Sequence, residues 1–201
     1  MRLPRNLSLA GAVLLLPLLF SIACSATADD ATPTPQQPPS TPRSANALYP
    51  YDVFLVAASG ERKAAFGAYF WQTDSGLAID VKSPGFPTAT LEPLPVSRDE
   101  TVRIEARDGP APNELTLHVY ARDGNTGPLS PDAPDTEAFK PQTDPVTSTQ
   151  LQLTPDGRAY TWTVDLEPGT YFVLGNATWS NPVRPEKPRT VEVAFAIEVA
   201  E

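Results

Sequence analysis

Residues 47–201 are predicted to form an all-β, antiparallel sandwich, and three observations carry that reading. No stretch there keeps an apolar period of 3.6 residues for three turns, which removes the helical alternatives. The chain holds 24 prolines and 11 glycines, and they recur between short runs rich in Val, Thr, Phe, Tyr and Trp. Several of those runs alternate apolar with polar side chains, the period of a strand with one buried face.

Residues 1–23 read as a lipoprotein signal peptide. Arg2 and Arg5 form a positive start and residues 7–20 an apolar run. That run is shorter than the ~20 residues that cross a bilayer. It is broken by Pro17 and ends in small residues, so removal by a peptidase is expected over a permanent span. Ser21-Ile22-Ala23-Cys24 resembles the bacterial lipoprotein box Leu-Ala-Gly-Cys at its last three positions, with Ser21 in place of the leucine. The resemblance implies cleavage before Cys24, a diacylglyceryl thioether on its sulfur and acylation of the new amino group. Cys24 is the single cysteine of the chain, so lipid on it leaves the folded part without a thiol, a disulfide or a Cys-based metal site. Ordinary secretion is the alternative, because Ala26-Thr27-Ala28 also fits a small-x-small cleavage site before Asp29. The expected location is the outer face of the plasma membrane, or the outer membrane of a cell that has one, with lipid on Cys24 as the membrane partner.

Residues 24–46 hold closely spaced prolines, Pro33, Pro35, Pro38, Pro39 and Pro42, among Thr, Gln, Ser and Ala. With almost no large apolar side chain to offset ordering entropy, the segment is expected to be a disordered tether. At about 3.1 Å per residue in polyproline II it would reach roughly 65 Å.

The domain at 47–201 is large enough for one core. Residues 51–59 and 62–71 form the first expected hairpin, with Gly60-Glu61 as its turn; both faces are apolar, as in a strand covered on both sides. Residues 101–107 and 114–122 should pair, with Val102, Ile104, Leu115, Leu117 and Val119 inward and His118 and Tyr120 outward. Residues 124–145 contain Pro128, Pro131, Pro134, Pro141 and Pro145 and the acids Asp132, Asp135, Glu137 and Asp144. A long surface loop is expected, and it is the candidate interaction segment. Asp123-Gly124-Asn125 begins like a calcium loop but lacks the alternating oxygen ligands and closing glutamate. Residues 148–153 and 159–165 should pair across Thr154-Pro155-Asp156-Gly157, a type I turn, with Tyr160, Trp162 and Val164 on one face. Residues 170–179 and 190–200 complete the set, with Val191, Val193, Phe195, Ile197 and Val199 inward.

Leu166-Glu167-Pro168-Gly169-Thr170-Tyr171 resembles the tyrosine corner of immunoglobulin-like and fibronectin type III-like sandwiches, in which a tyrosine hydroxyl bonds backbone just upstream. Gly67-Ala68-Tyr69-Phe70-Trp71, Ala78-Ile79-Asp80, Pro168-Gly169-Thr170-Tyr171, Trp179 and the last strand together resemble a group of small bacterial lipoproteins of largely unassigned function. Phe70 and Ala78 stand where that group has two cysteines. The resemblance implies that these two positions sit at disulfide distance; no activity follows from it.

Basic residues number 15 against 24 acids, a net charge of −9, and loss of Arg2 and Arg5 with the leader would make it −11. Such a chain should be repelled by nucleic acid. One histidine and no free thiol cannot assemble a His–His metal site or a Cys–His pair, and phosphate loops and the G-x-S-x-G elbow are absent. The expectation is therefore a protein that is no enzyme and takes no cofactor, displaying a module that binds an envelope protein or polymer. The alternatives are a carbohydrate or small-ligand binder using aromatics such as Tyr49, Tyr51 or Trp179, and a passive spacer.

Overall fold

The computed structural model describes residues 49–200; the leader, Cys24 and the linker lie outside the described residues. In chain order the strands are β1 Val53–Ala57, β2 Gly60–Lys63, β3 Ala65–Gln72, β4 Ala78–Val81 and β5 Phe86–Pro87. After a 3-10 turn at Thr88–Thr90 come β6 Pro93–Ser97, β7 Thr101–Ala106, β8 Glu114–Ala121, β9 Thr126–Ser130 and β10 Ala133–Phe139. They are followed by β11 Thr147–Gln150, β12 Gln152–Leu153, β13 Ala159–Thr163, β14 Gly169–Trp179 and β15 Arg189–Ala200.

The all-β architecture is the expected one. A five-stranded sheet in the order β12-β13-β7-β1-β2 faces a seven-stranded sheet in the order β11-β8-β14-β15-β3-β4. The twelve-residue β15 takes two neighbours in succession along one side, β3 beside Thr190–Ala194 and β6, in parallel, beside Ala196–Ala200. Between the sheets lies the main core. Val53, Leu55, Val102, Ile104 and Tyr160 from one sheet meet Leu115, Leu117, Val119, Val173, Val193 and Ile197 from the other. The inward residues expected on residues 101–107, 114–122 and 190–200 are all buried.

Two expected hairpins are divided between the sheets. β1 pairs with β2 through Ala57 and Gly60, so the two-residue turn is Ala58-Ser59 rather than Gly60-Glu61. At buried Ala64, whose N–H donates to the Val53 carbonyl at 2.8 Å, the chain leaves that sheet and enters the other as β3. Residues 62–71 carry apolar side chains on both parities because β3 bulges between Phe66 and Tyr69, so that Ala64 and Phe66 before the bulge and Tyr69 and Trp71 after it all face the main core. Residues 147–153 also change sheets: β11 pairs with β8, Leu151 donates to the Leu115 carbonyl at 2.9 Å, and only Gln152 and Leu153 reach β13. The turn after them is as expected, with Gly157 N–H donating to the Thr154 carbonyl at 2.8 Å.

Residues 124–145 are not a loop. β9 and β10 form a hairpin that joins β5 in a third, three-stranded sheet, order β5-β10-β9. This layer lies over one half of the outer face of the seven-stranded sheet and closes a second core of Phe86, Leu91, Tyr120, Phe139, Phe172, Ala194 and Ala196. Phe139 is fully buried and stacks on Phe172 at 4.6 Å and Phe86 at 6.0 Å, with Tyr120 tilted at 5.6 Å. Tyr120 does point outward from β8 as its parity requires, but it is buried because that direction is covered.

Asn125 fastens the base of the hairpin. Fully buried, its Nδ2 donates to the Ala121 carbonyl and Thr143 Oγ1, both at 2.9 Å, and its Oδ1 accepts from the N–H groups of Gln142 and Thr143 at 2.8 and 3.1 Å. A buried amide with its donors and acceptors paired fixes one geometry, since any shift would strand polar groups away from water. The stretch that begins like a calcium loop is thus a structural clasp.

At the tyrosine corner, Gly169 takes φ +156°, and Tyr171 Oη donates to the Glu167 carbonyl at 2.8 Å, on an exposed part of the surface. Leu166 is buried beneath the bend.

Candidate functional site

The third layer covers only half of the sheet it rests on. Beyond it, the outward side chains of five strands form a rank: Glu114 on β8 beside Thr178 on β14, Thr190 on β15, Phe70 on β3 and Asp80 on β4. With neighbouring strands ~4.8 Å apart, the rank runs roughly 19 Å across the sheet. Behind it stand Thr116, Asn176 and Glu192, again side by side. Phe70, Asp80, Lys82, Asn176, Thr178 and Glu192 line a shallow groove of about 310 Å³ on this open platform.

Its shape has local causes. β3 bulges where Val191 pairs with Tyr69 and Val193 with Phe66, and Glu192 Oε2 accepts the N–H of Ala68 there at 3.0 Å. Gly67 supplies the room: a Cβ at that position would enter the ring of Phe86. One residue therefore lets the second core and the platform meet.

The far rim is the segment 180–188, held by a buried polar group. Asn181 Nδ2 donates to Gln72 Oε1 at 2.9 Å and to the Lys187 carbonyl at 2.8 Å, while its Oδ1 accepts from the N–H groups of Val183 and Arg184 at 3.1 Å. Arg189, 5% exposed, donates to Asp74 Oδ1 at 2.6 Å and lies over the Trp71 ring. This anchoring sets Lys187 Nζ 3.8 Å from the centre of the Phe70 ring, a cation–π contact at the platform's edge.

The other candidate residues are scattered. Asp132, Asp135, Glu137 and Asp144 are exposed and do not form one cluster. Asp132 sits in the β9–β10 turn. Glu137 accepts from Thr88 Oγ1 at 2.9 Å and lies 4.0 Å from Arg122. Asp144 is close enough to Tyr120 to add, after burial itself, to the forces that raise its phenol pKa. Tyr51 and Trp179, offered as ligand-binding aromatics, are core residues: with Trp71 they form an edge-to-face trio, and Trp179 Nε1 donates to the Pro110 carbonyl at 2.9 Å. Tyr49 is exposed at 63%. Phe70 stands opposite Asp80, and Ala78 opposite Gln72. Phe70 and Ala78 are therefore on a diagonal, where Cα atoms are ~7–8 Å apart, beyond the usual span of a disulfide.

His118 Nδ1 and Ser148 Oγ lie 2.8 Å apart across the β8–β11 ladder on exposed surface, with no carboxylate bonded to the ring among the described residues. Also among them, no group of three or more His, Cys, Asp or Glu side chains is placed to hold a metal ion. No family model, no curated protein and no solved structure matches the chain.

Proposed function

We propose that the protein is a non-catalytic binding module, tethered to a membrane through lipid on Cys24, that holds an envelope protein with a basic surface against the open half of the seven-stranded sheet. One observation carries this reading. The outer face of one continuous sheet is capped by a third layer where it is apolar, around Tyr120 and Phe172, and left bare where it carries Glu114, Thr178, Thr190, Phe70 and Asp80. Polar residues with a single half-buried ring suit reversible contact with a partner better than a core.

Charge selects the partner. Glu114, Asp80 and Glu192 outnumber Lys82 on the platform and Lys187 at its edge, the exposed Asp132 and Asp135 belong to the neighbouring layer, and the whole chain carries −9. Complementary charge speeds encounter and weakens with salt.

In cells, Cys24→Ala should move the protein from the membrane fraction to the soluble one or leave it as a precursor. Glu114→Lys with Asp80→Lys should remove crosslinked partners that the parent captures, while Asp132→Asn with Asp135→Asn should weaken capture less. An identical set of partners from every variant would refute the platform and leave a passive spacer; capture of envelope polymer alone would replace the protein partner.

A further inference from the structure

We propose a second site, independent of the platform, that takes an uncharged polyhydroxylated ligand such as a neutral oligosaccharide. It lies at the edge of the sandwich where β11 and β12 pass from one sheet to the other. β11 stays with β8 as far as Gln150, and β12 covers only Tyr160 and Thr161 of β13. Among the described residues, Trp162 and Thr163 therefore have no strand beyond them on that side, and a cleft of about 500 Å³ lies there between β11 and β13. That volume is within the ~300–1,000 Å³ range of small-ligand sites.

The lining decides the ligand. Four polar side chains, those of Thr149, Gln150, Gln152 and Thr161, line it together with Trp162 of the main core. None of these four side chains has a hydrogen-bond partner among the described residues. Hydroxyls and carboxamides each donate and accept, so a ligand that fits them must offer both kinds of group along its length, as a polyol does. Trp162 is 7% exposed, and its indole N–H, unlike that of Trp179, also lacks a partner among the described residues. An indole in the lining can offer a ligand both a donor and an apolar surface for the C–H face of a sugar ring.

Charge argues the same way. Among the described residues, the only ionisable one lining the cleft is Asp165, which Arg98 Nη2 approaches at 3.6 Å. In a molecule of net charge −9, this neutral cleft offers a charged ligand nothing in return for its hydration. A peptide adding as a strand is disfavoured as well, because two uncovered residues are fewer than the ~3–10 of a usual strand.

The test is calorimetric titration of the full-length protein with cellohexaose, maltohexaose and xylohexaose, with hexagalacturonic acid as the charged control. A neutral hexaose is expected to bind saturably and with an affinity insensitive to salt. Gln152→Ala and Thr149→Ala should each weaken it about two- to tenfold, the loss of one net hydrogen bond. Trp162→Phe keeps the packing and should weaken it comparably, whereas Phe70→Ala on the platform should leave it unchanged. Failure of all three neutral hexaoses to bind overturns the proposal, as does binding of the acidic sugar alone or binding that Gln152→Ala does not alter. None of these outcomes bears on the platform, which is read separately by partner capture.

Discussion

The seven-stranded sheet has two faces that are buried in different ways. Its inner face packs in a main core drawn largely from alternating positions of long strands: Leu115, Leu117 and Val119 on β8, and Val191, Val193, Phe195, Ile197 and Val199 on β15. Its outer face is buried over only half its extent, under four rings brought from four places: Phe86, Tyr120, Phe139 and Phe172. The first core is spread over many side chains, from Ala177 to Trp71, Trp162 and Trp179. The second depends on a few large ones, and on the hairpin that delivers Phe139.

The largest effect should follow from breaking that delivery. Phe139→Ala leaves a cavity among three rings and is expected to cost about 3–5 kcal/mol, as much as Phe195→Ala in the main core. Denaturant unfolding of both variants measures it. If Phe139→Ala costs under about 1 kcal/mol, the third layer is an appendage and not part of the cooperative fold. For the same reason, excising 127–143 should expose Phe172 and Tyr120 and make the protein bind hydrophobic dye.

Asn125→Ala strands the N–H groups of Gln142 and Thr143 and the Ala121 carbonyl, and should cost about 1–3 kcal/mol. Hydrogen exchange would sharpen the contrast between the cores: protection should fall first in β9 and β10 and stay in β14.

Tyr171→Phe removes only the bond to the Glu167 carbonyl, which water can replace on the exposed surface. A shift of about 0.5–1.5 kcal/mol is expected, with no effect specific to either core.

The smallest effect concerns pH. Arg107 hydrogen-bonds both carboxylate oxygens of Glu61 and lowers its pKa from the usual 4.5, against a smaller opposing effect of burial. A group lowered by folding stabilises above its unfolded pKa and loses that contribution as pH falls through the folded value. The midpoints of the parent and Glu61→Gln should therefore differ slightly near neutrality and converge as pH falls below 4.5. A constant offset at all pH values would show that the pair adds nothing through charge.

The sequence by itself determined the strand class, the inward residues of β7, β8 and β15, the turn at Pro155-Asp156-Gly157 and the corner around Tyr171. Each of these is local: alternation, proline and glycine act within a few residues of where they stand. Tertiary structure decided what lies on the other side of each strand. Residues 124–145 look like a loop because proline and acid dominate them, and their single ring at Phe139 gains meaning only where Phe86, Tyr120 and Phe172 surround it. Ala64 and Leu151, where the chain changes sheets, carry no local mark, because a crossing depends on which partner strand is near. The open platform and the neutral cleft were equally hidden: Phe70, Thr178 and Thr190 are 12 to 120 residues apart in the chain and become neighbours only through pairing. The cleft exists because β12 ends after two residues and leaves the edge of β13 unpaired at Trp162 and Thr163.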